Sequence, residues 1–253
     1  MPKKPLVEVV IPVYNEEEQL EKNLLKLYKF LKTTSVGFSW QITIADNASI
    51  DKTAEIGKRL AQRYSRVNFV HLSQKGRGRA VKKVWQQSKA EILSYMDVDL
   101  STDLRHFPPL IQALITLDFD IAIGSRLLAG SKVYNRSLKR EIISRVYNLL
   151  IKIFFQTKFS DAQCGFKAIT KRAACQLIPL IEDNEWFMDS ELLIIAEKAG
   201  FKIYEEAVIW RDDPGTTVKI LPTAIGDLKG LWRLFWARPW RKINLKNSSK
   251  NLW

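Results

Sequence analysis

The segment "AEILSYMDVDLSTD" (residues 90–103) joins a short apolar run to a cluster of acidic residues. Asp97, Asp99 and Asp103 lie within seven positions, directly after a run with the pattern of a buried β-strand. Carboxylates repel one another and lose their hydration when buried, so this position carries a cost. Either the cluster lies in a solvated turn that tolerates it, or it belongs to a ligand site. The local sequence leaves both interpretations open.

Composition limits the class of protein. The chain has 253 residues, of which 46% are hydrophobic, enough to form the core of one large domain or two small ones. Its 40 Lys and Arg residues against 27 Asp and Glu residues give a net charge of +13, which indicates a polyanionic partner: nucleic acid, a nucleotide or an anionic membrane surface. Cys164 and Cys175 have neither CxxC nor metal-site spacing, which favours reduced thiols and a reducing compartment.

The N-terminal residues and the hydropathy pattern bear on the membrane question. "MPKKPLVEVV" lacks the features of a signal peptide, and no uncharged stretch reaches the roughly 18 residues of a spanning helix. We therefore expect a protein in the cytoplasm that no segment of the chain anchors across a bilayer.

Short β-branched runs alternate with segments of helical period, which predicts an α/β fold with a parallel sheet covered on both faces. The predicted strands of the first half are 7–13, 41–46, 67–72, 92–97 and 120–125. Beyond residue 126 the pattern predicts a loop, a helix at 138–157, a strand at 165–169, a helix at 187–199, a strand at 202–210 and a last helix at 221–237. Because no repeat or linker interrupts it, we predict a single domain over 1–240 and a polar tail over 241–253.

Polar segments follow several predicted strands: "PVYNE", "ADNAS", "MDVDLS" and "GSR". In an open parallel sheet, ligands bind beyond the carboxyl ends of the strands, so one crevice could receive all four segments. Two carboxylates on either side of one residue can hold a hard divalent cation, which could bridge a diphosphate. "KGRGRA" (75–80) is a poor dinucleotide loop because Val81 stands where its third glycine is due, and no Walker A motif or histidine-rich metal site is present.

Seven motifs in order then carry a resemblance: "VVIPVYNEEEQL", "ITIADNASIDKT", "KGRGRAV", "SYMDVDLSTD", "IAIGSR", "SLKREIIS" and "SDAQCGFKAI". Over roughly residues 7–220 the chain resembles a family 2 glycosyltransferase of the GT-A fold, in the branch of polyprenyl-phosphate or dolichyl-phosphate glucosyl- and mannosyltransferases. The resemblance implies a Rossmann-like nucleotide-binding half (about 7–100), an acceptor half (about 101–220) and a mixed, mostly parallel sheet flanked by helices. It also implies transfer of a sugar from a nucleotide diphosphate sugar to the phosphate of a membrane lipid, with inversion at the anomeric carbon.

The resemblance assigns the donor site residue by residue. Asp97 and Asp99 resemble the DxD pair, with Asp99 as the direct ligand of Mg or Mn and Asp97 placed towards the ribose and the metal. Asp46 resembles the nucleotide-binding aspartate, and Arg211 resembles a mobile-loop arginine that closes on the diphosphate. The residues that resemble the walls of the nucleoside pocket are Pro12, Tyr14 and Glu16.

Three positions depart from the pattern. Asn47 and Ala48 replace an acid and a glycine, and Ser101 replaces the glutamine of several relatives. "DAQCGFK" is closer to the glucosyl branch, which favours a UDP-glucose-type donor. A GDP-mannose-dependent enzyme, or a GT-A enzyme that elongates a saccharide, remains the alternative.

The acceptor site is implied in the same way. Arg126, Arg140 and Ser144 resemble the residues that bind the lipid phosphate, and Arg140 and Ser144 project from one helix face because they lie four residues apart. A phosphate monoester is mostly dianionic at neutral pH, so no protein base is required, and Asp161 and Asp189 are weak candidates for one. For Ile142, Ile143, Val146 and Leu150, two interpretations stay open: a path for the polyprenyl chain, or core packing.

The last helix has the composition of an interfacial helix. Apolar residues at helical spacing alternate with basic residues, and Trp236 and Trp240 add amphipathic rings. The alternative is a helix that packs its apolar stripe on the core. We expect an amphipathic helix over about 221–240 and peripheral attachment to the cytoplasmic face of an anionic membrane. A basic nucleic-acid-binding protein is the competing class, but no nucleic-acid module is present, and we expect no nucleic acid partner.

Overall fold

A computed structural model describes residues 4–34, 37–212 and 220–243. Its centre is a seven-stranded sheet with the strand order β3-β2-β1-β4-β7-β5-β8. The strands of this sheet are β1 (Leu6–Val13), β2 (Ser39–Asn47), β3 (Val67–Leu72), β4 (Ile92–Met96), β5 (Ile121–Ser125), β7 (Phe166–Thr170) and β8 (Ile203–Ala207). A separate parallel pair consists of β6 (Lys132–Tyr134) and β9 (Ile209–Arg211). Within the large sheet, β7 runs antiparallel to both of its neighbours and the other pairs are parallel.

Helices cover both faces of the sheet. They are α1 (Leu20–Thr33), α2 (Thr53–Arg63), α3 (Arg77–Gln87), α4 (Phe107–Thr116), α5 (Leu138–Phe155), α6 (Lys171–Leu177), α7 (Met188–Ala199) and α8 (Ile220–Ala237). Two apolar clusters result, one on each face: neighbouring strand residues such as Val9 and Val10 belong to different clusters. This alternation follows from the two-residue period of a strand, and it explains why the strands read as continuous apolar runs.

The α/β prediction is confirmed, with differences in the second half. The strand predicted over 202–210 is two strands, because the Val208 N–H donates to Ser125 O (3.2 Å) whereas its carbonyl accepts from Lys132 N (3.0 Å). The chain thus passes from the large sheet to the small one at this residue. The sequence pattern also did not identify β6, which lies in the predicted loop. The single-domain prediction stays a prediction, and residues 244–253 of the predicted tail lie outside the described residues.

The topology brings the carboxyl ends of β1, β2, β4 and β5 to one edge of the sheet. In the register of β1 and β2, Val13 lies opposite Asp46, so the segments that follow both strands meet. Among the described residues, no helix is long and apolar enough to cross a membrane.

Candidate active site

The loops after β1 and β2 hold each other and enclose Asp46. Asp46 is fully buried; its Oδ1 accepts from Ser49 N (3.2 Å) and its Oδ2 lies 2.6 Å from His71 Nδ1. The Asn15 N–H donates to Ser49 Oγ (3.0 Å), and Asn15 Oδ1 accepts from Ile50 N (3.0 Å). The carboxylate therefore fixes this corner, and the half-exposed imidazole of His71 is the part of the pair that reaches the surface.

The three predicted wall residues lie beside this corner. Pro12 is buried in β1 opposite Ala45, and Lys75 Nζ lies 3.7 Å from the centre of the Tyr14 ring. The backbone of Glu16 starts the first helical segment: its N–H donates to Thr53 Oγ1 (2.7 Å), and its carbonyl accepts from Leu20 N (2.9 Å).

Asp97 lies at the centre of the crevice against Gly165. Its Oδ1 accepts from Arg77 Nε (3.1 Å) and Nη2 (2.6 Å), and its N–H donates to Gly165 O (3.2 Å). A Cβ atom on residue 165 would lie 1.7 Å from Asp97 Oδ2, so only glycine permits this approach. The glycine of "DAQCGFK" thus allows one member of the acid pair to occupy its position.

Asp99 is oriented by the residue that departs from the family pattern. Its Oδ1 accepts from Ser101 N (2.9 Å) and its Oδ2 from Ser101 Oγ (2.7 Å). A small pocket is lined by both aspartates together with Ser101, Gly165 and Trp210 among others. No group of three or more His, Cys, Asp and Glu side chains surrounds a metal position in the described part of the chain. Two carboxylates at one pocket still fit Mg²⁺, which takes one or two protein carboxylates and completes its shell with water and phosphate.

Arg77 connects Asp97 to a buried network of charged residues, which the sequence analysis missed. Arg77 Nη1 donates to Asp189 Oδ2 (2.8 Å), and the Tyr95 hydroxyl and Lys167 Nζ (3.2 Å) contact Asp189 Oδ1. Burial alone would raise the pKa of Asp189, but the charges of Lys167 and Arg77 outweigh it and lower that pKa. Asp189 is therefore an ionised counter-ion, which weakens its case as a base further.

The glycines of "KGRGRA" explain how Arg77 reaches this network. A Cβ on Gly76 would lie 2.6 Å from Asn184 O, and one on Gly78 would lie 2.7 Å from Met188 Cβ. The Gly76 N–H donates to Asn47 Oδ1 (2.5 Å). These glycines thus serve close packing of α3 against the start of α7, and Asn47 holds the turn.

On the acceptor side, Arg126 pairs with Asp161. Its backbone N–H (3.0 Å) and Nε (2.7 Å) donate to Asp161 Oδ2, and its Nη2 donates to Oδ1 (2.9 Å). Its guanidinium also lies 4.9 Å from the centre of the Trp210 ring. Burial would raise the pKa of Asp161, but the Arg126 charge and hydrogen bonds lower it to about 2. Asp161 is a counter-ion, and one edge of the Arg126 guanidinium is occupied.

The remaining predicted phosphate ligands lie on α5 and β9. Arg140 Nη1 donates to Asp212 Oδ2 (3.0 Å), and the buried Ser144 Oγ has no hydrogen-bond partner within the described residues. The Arg211 side chain is exposed, with its guanidinium 4.8 Å from the centre of the Tyr134 ring, and its N–H donates to Ser101 O (2.9 Å). The acceptor-side segments and the acid pair are thereby linked. Residues 213–219, most of the segment after Arg211, lie outside the described residues.

Two helices expose apolar side chains beside this site. On α5, Ile142, Ile143 and Val146 are exposed, so the core-packing interpretation is wrong for these three; Leu150 is half-buried. On α8, Leu231 and Leu234 are buried. The exposed apolar side chains of α8 are Ile225, Leu228, Trp232 and Trp236. The last helix therefore both packs on the core and presents an apolar stripe.

Comparisons with known proteins agree with this fold. The model of the family described as Glycosyl transferase family 2 matches residues 8–177. Glycosyltransferase AglD of Haloferax volcanii is 33% identical over 231 residues, which are 91% of this chain and 37% of AglD. Dolichyl-phosphate beta-glucosyltransferase ALG5C of Trichomonas vaginalis is 30% identical over 220 residues, 83% of this chain and 65% of ALG5C. The chain thus spans less than two thirds of either relative.

A solved structure supports the fold independently. Glucosyl-3-phosphoglycerate synthase of Mycobacterium tuberculosis, crystallised with Mn²⁺, UDP-glucose and phosphoglyceric acid, superposes with a TM-score of 0.65 at 13% identity, covering 95% of this chain and 82% of that one. The mixed seven-stranded sheet is the GT-A architecture that the motifs implied. The chain belongs to glycosyl transferase family 2.

Proposed function

We propose that the protein is an inverting glycosyltransferase that moves a hexose from a nucleotide diphosphate sugar, of the UDP-glucose type, to polyprenyl or dolichyl phosphate. The observation that carries the proposal is the crevice itself, where an acid pair after β4 faces a cluster of arginines after β5 and on α5. The acid pair can bind the diphosphate of an anionic donor through a divalent cation, and the arginines can bind the phosphate of an anionic acceptor. The names of the relatives support the choice of substrates.

On the donor side, Asp99 and Asp97 would hold Mg or Mn. The bound cation would stabilise the negative charge that develops on the diphosphate leaving group. Arg77 and Ser101 keep the two carboxylates in position. Asp46 and its partner His71 would recognise the base of the nucleotide, beside pocket walls formed by Pro12, Tyr14 and Glu16, and Arg211 would close on the diphosphate.

On the acceptor side, the lipid phosphate needs orientation and not deprotonation. A phosphate monoester with a second pKa near 6 is mostly dianionic at neutral pH, so it is already a nucleophile. Arg140, Ser144 and Arg126 would orient it. Because the Arg140 guanidinium donates a hydrogen bond to the Asp212 carboxylate, the incoming phosphate has to compete with that carboxylate for Arg140.

The exposed apolar stripes of α5 and α8 would lie in the membrane interface. Trp232 and Trp236, each 66% exposed, have the amphipathic rings that prefer this region, and basic residues on α8 suit anionic headgroups. This arrangement would keep the acceptor phosphate near the crevice while the lipid chain stays in the bilayer. We place the protein on the cytoplasmic face, in keeping with its free cysteines.

Flotation with anionic liposomes tests the membrane contact. Replacing both Trp232 and Trp236 by Ser should reduce the floated fraction severalfold. Ile50→Ser is the matched control, because Ile50 is 86% exposed but lies in the loop after β2. Equal flotation of the double variant and the control would contradict the membrane role of α8.

A donor and acceptor screen tests the activity. UDP-glucose, UDP-GlcNAc, UDP-galactose and GDP-mannose, each with a radiolabelled sugar, are incubated with Mn²⁺ and either a short polyprenyl phosphate or a saccharide acceptor, and the labelled product is counted. We expect UDP-glucose to give the product. Preference for GDP-mannose would favour the mannosyltransferase alternative, and transfer only to a saccharide would reject the lipid-phosphate acceptor.

Asp99→Ala should abolish transfer in the same assay because it removes the metal ligand. Asp103→Ala is the matched control: Asp103 belongs to the same acidic cluster but pairs with Arg105 at 2.7 Å. Near-normal activity of Asp99→Ala at low Mn²⁺ would reject the metal assignment.

A further inference from the structure

Arg136, the residue before the N-cap of α5, has a guanidinium with two nitrogens that no described residue satisfies by a hydrogen bond. Its side chain is only 9% exposed, and its Nε and Nη1 atoms are buried without a hydrogen-bond partner in the part of the chain that the structure describes. Glu141 Oε2 lies 3.2 Å from Nε without the angle of a hydrogen bond, and Nη2 makes one long bond to Arg140 O (3.4 Å). Unpaired buried donors of a charged group cost free energy, so their presence points to a missing partner.

Two of the acids near Arg136 are already engaged by other groups, and the third, Glu141, is shared with Arg145. Asp161 accepts three hydrogen bonds from Arg126, and Asp212 accepts from Arg140 and from Trp210 Nε1 (2.9 Å). Glu141 divides its charge between two arginines: Oε1 accepts from Arg145 Nε (2.6 Å), and Oε2 forms the 3.2 Å ion pair with Arg136 Nε. The environment of Arg136 is therefore short of negative charge. Burial and the nearby Arg126 charge lower the pKa of Arg136, which is the expected response to this shortage.

A second group without a hydrogen-bond partner among the described residues lies on α5 itself, beyond Arg136. The Ser144 hydroxyl is buried and unpaired within the described residues, and it follows Arg140 by four positions and Arg136 by eight. Residues four apart on a helix share a face, and the bond from Arg136 Nη2 to Arg140 O directs the Arg136 side chain back towards α5. In the described part of the chain, donors without partners thus lie at both ends of the segment 136–144, whose middle residue, Arg140, pairs with Asp212.

We propose that Arg136 is a direct ligand of the acceptor phosphate, a third guanidinium beside Arg140 and Arg126. The chemical class of its ligand is a phosphate monoester, and this identity rests on the proposed function. Arg126, whose Nε and Nη2 already bind Asp161, has only its remaining N–H donors to offer the phosphate. Arg136 supplies the N–H donors that this pairing withholds from the phosphate.

The test compares Arg136→Gln and Arg136→Lys with Arg145→Gln. Arg145 is the matched control because it contacts the same Glu141 but is 62% exposed. Farnesyl phosphate binding is measured by calorimetry without donor, and kinetics are measured with each substrate varied. We expect Arg136→Gln to weaken farnesyl phosphate binding at least tenfold, with the KM of the nucleotide sugar within twofold of wild type. Arg136→Lys should recover little because an ammonium lacks the planar array of donors, and Arg145→Gln should bind normally.

Thermal unfolding separates a ligand role from a structural one. An unsatisfied buried guanidinium does not stabilise the free protein, so Arg136→Gln should unfold at or above the wild-type Tm, whereas loss of a structural arginine would lower it. The proposal is overturned if Arg136→Gln binds farnesyl phosphate within twofold of wild type; should that variant fail to fold, normal binding by Arg136→Lys overturns it equally. A wild-type protein that does not bind farnesyl phosphate at all would instead overturn the proposed function, and this assignment with it.

Discussion

Gly165→Ala is the substitution whose effect on the acid pair follows most directly from the geometry. The added Cβ would lie 1.7 Å from Asp97 Oδ2 and 2.5 Å from its Cγ. Real Cβ atoms essentially never come closer than 3.0 Å to another heavy atom, so the carboxylate and the strand must separate by at least about 1.3 Å. The Asp97 N–H donates to Gly165 O, so a shift of the backbone at either residue would disturb that hydrogen bond.

A displacement of this size has two measurable consequences. The carboxylate leaves Arg77 Nη2, now 2.6 Å away, and it leaves the position from which it would contact the cation. A misplacement of about 1 Å in a reacting group costs about 100-fold in rate, so we expect kcat/KM to fall by about that factor, equivalent to about 2.7 kcal/mol. Overpacking of this kind also lowers the free energy of unfolding by about 1–3 kcal/mol.

The assay is transfer to polyprenyl phosphate over a range of Mn²⁺ concentrations, with thermal unfolding measured in parallel. Gly226→Ala is the control, because a Cβ at this α8 position meets nothing within 4 Å. That variant should keep its activity and gain up to about 1 kcal/mol of stability from helix propensity. A folded Gly165→Ala protein whose kcat/KM stays within threefold of wild type would refute the argument that the position of Asp97 matters.

Three further perturbations have signs that the structure determines. Arg126→Ala leaves Asp161 buried and unpaired and should cost about 3–5 kcal/mol of stability, part of which Arg126→Ala/Asp161→Ala recovers; equal thermal stability of the single variant and wild type would contradict this. Burial raises the pKa of Asp227 from its ordinary 3.8 to about 7, so the native state keeps a proton that the unfolded state has lost, and stability should fall as pH rises from about 4 to 7 and then level off. Asp227→Asn should flatten this slope in thermal melts, whereas an unchanged slope would exclude Asp227 as its source. Asp212→Asn removes the carboxylate that competes for Arg140 and should lower the acceptor KM severalfold; a higher KM would mean that Asp212 assists phosphate binding.

Features encoded in local patterns could be predicted from the sequence. The strands of the first half follow from β-branched runs, and their common carboxyl edge follows from the rule for open parallel sheets, which brought Asp46, Asp97 and Arg126 to one crevice. The exposure of Ile142 and Trp232 could not be predicted from the spacing of apolar residues along their helices. An apolar stripe has the same period whether it packs on the core or on a membrane.

Features that depend on distant pairs were missed. Arg77 and Asp189 are 112 positions apart, and Arg126 and Asp161 are 35 apart, so neither pairing is visible in a local segment. One signal was present: Lys167 interrupts the apolar strand segment "GFKAI", and a lone lysine in a buried strand requires a buried acid. Arg136 gave no such signal, because the proposal for it rests on two nitrogens, Nε and Nη1, that have no hydrogen-bond partner among the described residues.

The buried network also changes the physical argument for the acid pair. The position of Asp97 after a buried strand suggested that a cation offsets the repulsion between carboxylates, yet Arg77 already donates to Asp97 Oδ1 with two nitrogens. The two positive charges of Arg77 and Lys167 balance the two negative charges of Asp97 and Asp189. Burial and the adjacent Asp189 raise the pKa of Tyr95, so its hydroxyl stays neutral and adds no charge. The protein therefore balances the charge of Asp97 by itself, and a cation is not needed to explain the position of this carboxylate. The case for a metal depends instead on the oxygen chemistry of the pocket that Asp99 shares with Asp97, which is why the Asp99→Ala experiment tests the metal and Gly165→Ala tests the scaffold.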